Sequence, residues 1–424
     1  MKKMNKNLLH YTAKTPVGAN LQYFLKWTAI ACVIGSAAGL AGAVFGQGIS
    51  LASNFFDRHS WSIFLLPVSG LLIVWLYRTF NEEGNKGTNM VIEAISSNEK
   101  ITPTTGPLIF VSTILTQLGG GSAGREGAAL QLGGSLGSLF GRVLKLDEKD
   151  KKIAVMCGMS ACFGALFGTP LAAGVFSMEV ISIGIMYYAA LVPCLFASFI
   201  GAGIAGVMGL TPEHFIITEI PPVTLGSMAF IVLLGLMCAM VSILMCIMLH
   251  GSEHLYRTYL HSPYTRILAG SAILVVLTLL MGTRDYNGGG IPLIERCMEG
   301  DVRYEAFLVK MLFTAVTLGA GFKGGEIVPT LCVGAAFGAA VGLLLGVSPS
   351  LCAACGMAAL FVGVTNCPIA SALLAFEMFG FEAMPYFSII IAVSFTLSGY
   401  YGLYRSQKFI YSKTKTEFIN RKAN

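Results

Sequence analysis

GGGSAGREGAAL (119–130) and GAGFKGGEIVPTL (319–331) each set a glutamate, Glu126 or Glu326, between a run of glycines and a long apolar stretch. A carboxylate at membrane depth is expensive unless it is protonated, paired or wet, so such a residue is a functional candidate by default. Glycines let backbone approach a ligand closely, and the apolar run after them starts a helix whose free N–H groups attract anions. Glu126 stands at that start, where its carboxylate can occupy the anion position itself and leave it on protonation. Helix capping is the alternative, but it does not require a charge at membrane depth. Glu326 repeats the arrangement, with Pro329 in the first turn where its missing N–H does no harm. Two such acids in matching contexts point to a duplicated pathway that handles protons and anions.

The bulk of the chain supports a membrane setting. Its 424 residues are 55% hydrophobic and only 12% charged, with a mean hydropathy of +0.72. A soluble chain carries about a quarter charged residues. Apolar stretches fall at about 23–52, 62–78, 107–141, 153–182, 186–210, 223–250, 265–282, 305–345, 351–378 and 386–404. Several are broken by glycine and proline, the mark of discontinuous or re-entrant helices, so more helices than apolar stretches are expected. A membrane barrel's alternation is absent. The net charge of +6 gathers at the ends, in Lys2, Lys3, Lys6 and Lys14 and in Arg405, Lys408, Lys413, Lys415, Arg421 and Lys422. Both termini are therefore expected in the cytoplasm, near anionic lipid rather than nucleic acid. No removable leader is expected, nor a soluble regulatory domain after 404.

The chain also repeats itself. GMSACFGALFGTPLAAGVFSME (158–179) aligns without gaps on GMAALFVGVTNCPIASALLAFE (356–377), pairing Pro170 with Pro368 and Glu179 with Glu377. LGGGSAGREGAAL likewise aligns on LGAGFKGGEIVPT, pairing Glu126 with Glu326. Two blocks in one order indicate a duplication, the usual build of transporters with a site between repeats. The expected halves are 22–210 and 211–404, between an N-terminal segment 1–21 and a basic tail 405–424. Glu179 and Glu377 close their helices and are expected to serve structure there or at a subunit contact.

Other candidates are weaker. GNKGTNM (84–90) is a third candidate helix start, with Lys86, Gly87 and Thr88 as donors, or else a polar loop. Arg125 and Lys323 either neutralise their neighbours or attract anions. Tyr404 in YYGLYRSQK closes the last apolar stretch, as an interfacial tyrosine does. Cys352 and Cys355 are spaced CxxC but read as small packing residues. His250, Glu253 and His254 lie in a hydrophilic stretch, so no metal is expected. No phosphate-binding loop and no nucleophile–base pair exists, so neither a cofactor nor an enzyme is expected.

These residues resemble the CLC chloride channel/antiporter family. GREG (124–127) is similar to its gating-glutamate motif, GGEIVP to its second filter motif, and Tyr404 to its central pore tyrosine. The family's GSGIP becomes NKGTN, with Lys86 at the serine and Asn89 at the proline. Val180 stands where exchangers carry an inner proton glutamate, and Glu326 is an added acid. This combination resembles the family's fluoride/proton antiporter clade. The resemblance implies an all-α polytopic membrane fold of two inverted repeats with several broken helices, and a homodimer with one pathway per subunit. It also implies a multi-pass place in the inner (plasma) membrane. Glu126 is then the gating glutamate and Glu326 the second acid. Lys86, Gly87, Thr88, Gly124, Arg125, Gly127, Ile327, Val328 and Tyr404 then line the anion path. The implied activity is fluoride export coupled to inward proton flow, with a chloride transporter of the same family, exchanger or channel, as the alternative. Fluoride is small and strongly hydrated, and a protonated carboxyl is a donor strong enough to replace its water.

Overall fold

The computed structural model describes residues 16–97 and 99–424; Lys2, Lys3, Lys6 and Lys14 lie outside them. In chain order the helices are α1 (Pro16–Arg58), α2 (Leu66–Thr79), α3 (Thr88–Ser96), α4 (Thr105–Leu118), α5 (Glu126–Val143), α6 (Glu148–Phe167), α7 (Pro170–Glu179) and α8 (Leu191–Val207). The second half continues with α9 (Leu225–Tyr259), α10 (Pro263–Met281), α11 (Ile291–Glu299), α12 (Ala306–Ala320), α13 (Ile327–Leu345), α14 (Pro349–Thr365), α15 (Pro368–Phe379) and α16 (Met384–Leu397). Six helical stretches among the described residues are long and apolar enough to cross a membrane. Their outer faces expose large apolar side chains such as Leu51, Val207 and Leu225. The chain is a multi-pass membrane protein.

The four longest broken apolar stretches each yield two helices. Residues 107–141 divide at the glycine loop before Glu126, and 305–345 divide before Glu326. The other two breaks share one local chemistry. α6 ends at Gly168 with φ 70°, and Pro170 opens α7. α14 ends at Asn366 with φ 59°, and Pro368 opens α15. Glycine and, next best, asparagine accept the left-handed turn that stops a helix, and proline then starts the next.

Packing repeats in the same way. A Cβ on Gly133 would meet the Gly158 carbonyl at 2.1 Å, and one on Gly334 would meet the Gly356 carbonyl at 2.5 Å. Thus α5 crosses α6, and α13 crosses α14, backbone on backbone. Close approach of this kind is how helices gain contact in lipid, where apolar burial between helices gives little. Cys352 belongs to the second crossing, against Gly338 and Gly342, and the described cysteines are all free thiols.

Glu179 and Glu377 join the halves. Glu377 accepts from the N–H groups of Leu171 and Ala172 at 2.9 and 2.8 Å, in the first turn of α7. Glu179 accepts from Ile369 and Ala370 at 3.2 and 2.8 Å, in the first turn of α15. Each helix thus ends in an acid that caps the other, satisfying donors a helix start leaves free.

A small sheet accompanies the helices. The tail forms β2 (Lys408–Tyr411) and β3 (Phe418–Lys422), antiparallel, and β2 pairs in parallel with β1 (Ser182–Ile183) just beyond Glu179. The last residues tie down the Tyr404 segment: the N–H of Asn424 donates to the Tyr400 carbonyl and that of Ala423 to Gln407.

Replacing Glu179 or Glu377 by alanine leaves two N–H groups at the start of the opposite helix without their acceptor. The expected loss is about 0.5–2 kcal/mol, the scale of a lost helix cap, seen as a lower thermal midpoint in detergent; an unchanged midpoint in both variants refutes the swapped caps.

Candidate functional site

The two glycine loops meet. The N–H of Gly124 donates to the Gly325 carbonyl at 2.6 Å, and the N–H of Gly325 donates to the Gly124 carbonyl at 2.7 Å. This antiparallel bridge sets the starts of α5 and α13 beside each other about a local two-fold. No side chain fits between them. A Cβ on Gly325 would lie 2.4 Å from the Gly127 nitrogen, and one on Gly127 would lie 3.0 Å from the Gly325 Cα.

Both glutamates lie at this junction. Glu126 is 1% exposed, and its Oε2 folds back over its own helix start to accept from the Arg125 N–H at 3.0 Å. The same Oε2 stands 2.7 Å from where a Gly124 Cβ would be. Glu326 caps α13, and its Oε2 lies 3.1 Å from the place of a Gly127 Cβ. Tyr404 is fully buried, and its hydroxyl has no partner among the described residues.

The other expected residues divide into two groups. Thr88 joins the site: its hydroxyl lies 3.4 Å from the Gly127 carbonyl, to which it donates, and 3.4 Å from the place of a Gly127 Cβ. Gly87, at φ 64°, caps α3 as the sequence suggests, but its N–H is taken by Asn85 Oδ1 at 2.8 Å. Ile327 and Val328 form the buried first turn of α13, and Val328 lines the cavity beside Glu126. Lys86 stays apart. Its ammonium donates to Glu93 at 2.6 Å and to Glu99 at 3.3 Å, on the exposed side of the loop. The hydrogen bond to Glu93, then that to Glu99, holds its pKa above the ordinary lysine value.

A cavity of about 630 Å³ opens onto Glu126, lined also by Gly124, Arg125, Glu213, Asn287 and Val328. Arg125 donates to Glu126 Oε1 at 3.4 Å, to the Leu166 carbonyl at 3.3 Å, and to Glu213. It therefore neutralises two acids. Lys323 lies over the Tyr77 ring, 4.5 Å from its centroid. Glu253 pairs with Arg257 and Arg405.

Sequence reasoning missed Glu213, whose pairing with Arg125 spans 88 residues, and Lys310. The fully buried Lys310 ammonium donates to Ser122 Oγ at 3.0 Å and to the Tyr286 and Gly288 carbonyls at 3.1 and 2.7 Å. It fastens the glycine loop 288–290 on the cavity wall to the glycine-rich segment before Glu126. A lone lysine in an apolar run was its only sequence signal.

Residues 69–399 match the family described as voltage gated chloride channel. The chloride/fluoride channel protein of Pseudomonas syringae pv. tomato is 34% identical over 401 residues, 93% of this chain and 88% of that protein. The H(+)/Cl(-) exchange transporter ClcA of Vibrio cholerae is 25% identical over 385 residues, 82% of this chain and 81% of that protein. The crystal structure of a CLC-type fluoride/proton antiporter matches with a TM-score of 0.88 at 30% identity, covering 93% of this chain and 99% of that one. A slow cyanobacterial Cl-/H+ antiporter shares the fold, with a TM-score of 0.76 at 19% identity over 88% of this chain and 94% of that one.

Gly127→Ala places a methyl 3.1 Å from the Glu326 carboxylate and 3.0 Å from Gly325. Anion efflux from proteoliposomes is expected to fall at least about tenfold, equivalent to roughly 1.4 kcal/mol or more on the barrier. Wild-type efflux in this variant means the junction is not on the path.

Proposed function

This chain belongs to the CLC family of voltage gated chloride channels, and on that footing we propose that it is a secondary-active fluoride/proton antiporter. The observation that carries the reading is the pair of carboxylates, Glu126 buried and Glu326 partly buried, at two helix starts locked together by the Gly124–Gly325 bridge. A relative named for chloride and fluoride and a fluoride/proton antiporter of closely similar structure support it.

The chemistry follows from what the junction offers. Glu126 is the gating glutamate: ionised, it holds the place of an anion over the start of α5. Protonated, it gives up that place, and an anion enters. Glu326 is the second acid, and its carboxyl when protonated donates an O–H to the anion. A charge-assisted O–H contact is short and strong, which is what a small, tightly hydrated anion requires in exchange for water. Fluoride leaving on one side and protons entering from the other share these groups, so one flow drives the other. Thr88, Ile327, Val328 and Tyr404 line the path with the backbone of Gly87, Gly124 and Gly127, and Arg125 fixes the charge at its wall. Lys86, paired with Glu93 and Glu99, acts at the surface of the loop.

The protein acts as a homodimer with one pathway per subunit, in the inner (plasma) membrane with both termini in the cytoplasm. The clustering of basic residues at the two ends supports that orientation.

Proteoliposomes loaded with fluoride or with chloride, with external pH recorded, test the reading. Fluoride efflux with proton uptake and little chloride release is the expected result, and chloride release as fast as fluoride release makes this a chloride transporter instead. Glu126→Gln is expected to abolish proton movement, and Glu326→Gln to slow fluoride efflux by at least about tenfold, roughly 1.4 kcal/mol. A Glu126→Gln protein that remains fully coupled removes Glu126 from the gate.

A further inference from the structure

One polar side chain beside the two acids has no role in the account so far. Gln131 lies on α5, five residues beyond Glu126, and is 3% exposed. Its Nε2 makes two long contacts, 3.3 Å to the Gly127 carbonyl and 3.5 Å to the Thr88 hydroxyl. Its Oε1 has no partner among the described residues. Whichever way the amide is turned, one polar end is left over in a place where unmet polar groups are costly. A residue present only to pack would be apolar here, as its neighbours Leu130 and Leu132 are.

The unmet amide lies beside a helix start. Nε2 is 3.7 Å from where a Gly87 Cβ would be, at the cap of α3, whose first turn presents N–H groups that no intrahelical carbonyl takes. The Thr88 hydroxyl makes only long contacts. Thr88 and the Glu326 carboxylate both border the space that Gly127 leaves by having no side chain. Amide, hydroxyl, helix start and carboxyl thus converge on one small volume, and all of them offer donors once Glu326 is protonated. With Gln131 Nε2 turned toward the cap of α3, that set of donors suits a small anion.

We propose that Gln131 is a direct ligand of the transported anion, donating its amide N–H to a small halide held between Thr88, the start of α3 and Glu326. This deepens the antiporter reading and rests on it. The amide has a distinct use there. A carboxyl donates only while protonated, whereas an amide donates at every pH. Gln131 therefore holds the halide after Glu326 has released its proton, which keeps anion and proton from leaving in a single step.

The test uses the full-length protein in proteoliposomes, with sodium fluoride as the probe. Gln131→Met keeps the side-chain length and removes the donor; Gln131→Glu keeps the shape and replaces the donor with a charge. The half-saturating fluoride concentration is expected to rise about tenfold in Gln131→Met, the scale of one lost charge-assisted hydrogen bond. In Gln131→Glu the rise is larger at alkaline pH and shrinks on acidification, when the new carboxyl becomes a donor. A structural role would lower the yield of folded protein or its thermal midpoint and leave half-saturation alone. Half-saturation within twofold of wild type in the variants that fold, with no added pH dependence in Gln131→Glu, overturns the assignment. A wild-type protein that moves chloride and not fluoride refutes the antiporter reading instead, and the same titration with chloride then decides Gln131 separately.

Discussion

The structure hangs on two hydrogen bonds between glycines. Gly124 and Gly325 exchange N–H and carbonyl at 2.6 and 2.7 Å, and this sets where α5 and α13 begin. Unpaired backbone is expensive at membrane depth, so irregular backbone survives there only when it is buried in protein or lines a cavity. The bridge meets that condition twice over, because each loop supplies the other's missing partner. It also explains the glycines: a Cβ on Gly325 would sit 2.4 Å from the Gly127 nitrogen. The placement of the two acids follows from the same arrangement, since each stands at a helix start that the bridge has brought to the junction.

The same logic recurs away from the centre. Glu179 and Glu377 cap each other's partner helices, so the break that creates a free helix start in one half is answered by the other half. Lys310 answers Ser122 Oγ and the carbonyls of Tyr286, Asn287 and Gly288 with one ammonium. In each case a polar group inside the membrane region is satisfied by a residue distant in sequence. Cutting one link therefore exposes groups in segments far apart in the sequence.

Much of this was legible in the sequence because it rests on local chemistry. Glycine before an acid before an apolar run gave the starts of α5 and α13, and GTP (168–170) and NCP (366–368) give the breaks. The repeat was legible too, because matched residues do matched jobs. What was not legible depends on where distant segments come to rest. Lys86 shares a motif with Thr88, yet one side chain faces Glu93 and the other the junction; two residues of loop suffice to turn them apart. Glu213 and Gln131 carry no local signal, as an acid in a loop and an amide in a helix are ordinary. Their meaning comes from Arg125 and from the cap of α3. The tail read as simply basic because pairing of β2 with Ser182–Ile183 spans more than two hundred residues.

The packing also limits what can move. α5 and α13 lie backbone against backbone on α6 and α14, and interiors so closely packed do not deform gradually. Sliding either helix would break the glycine bridge and drive its carbonyls into the neighbouring helix. The Tyr404 segment is held as firmly, by Gln407 donating to the Val180 and Thr365 carbonyls and by Asn366 donating to the Tyr401 carbonyl. Glu126 differs from all of these. Arg125 holds it by an N–H at 3.0 Å and a guanidinium at 3.4 Å, and a cavity of about 630 Å³ lies open beside it. A scaffold pinned at the bridge, the crossings and the tail leaves a side-chain rotation as the cheapest change at the site. Protonation weakens both of the contacts that hold that side chain. Charge and position are thus linked at one residue without any rearrangement of the helices around it.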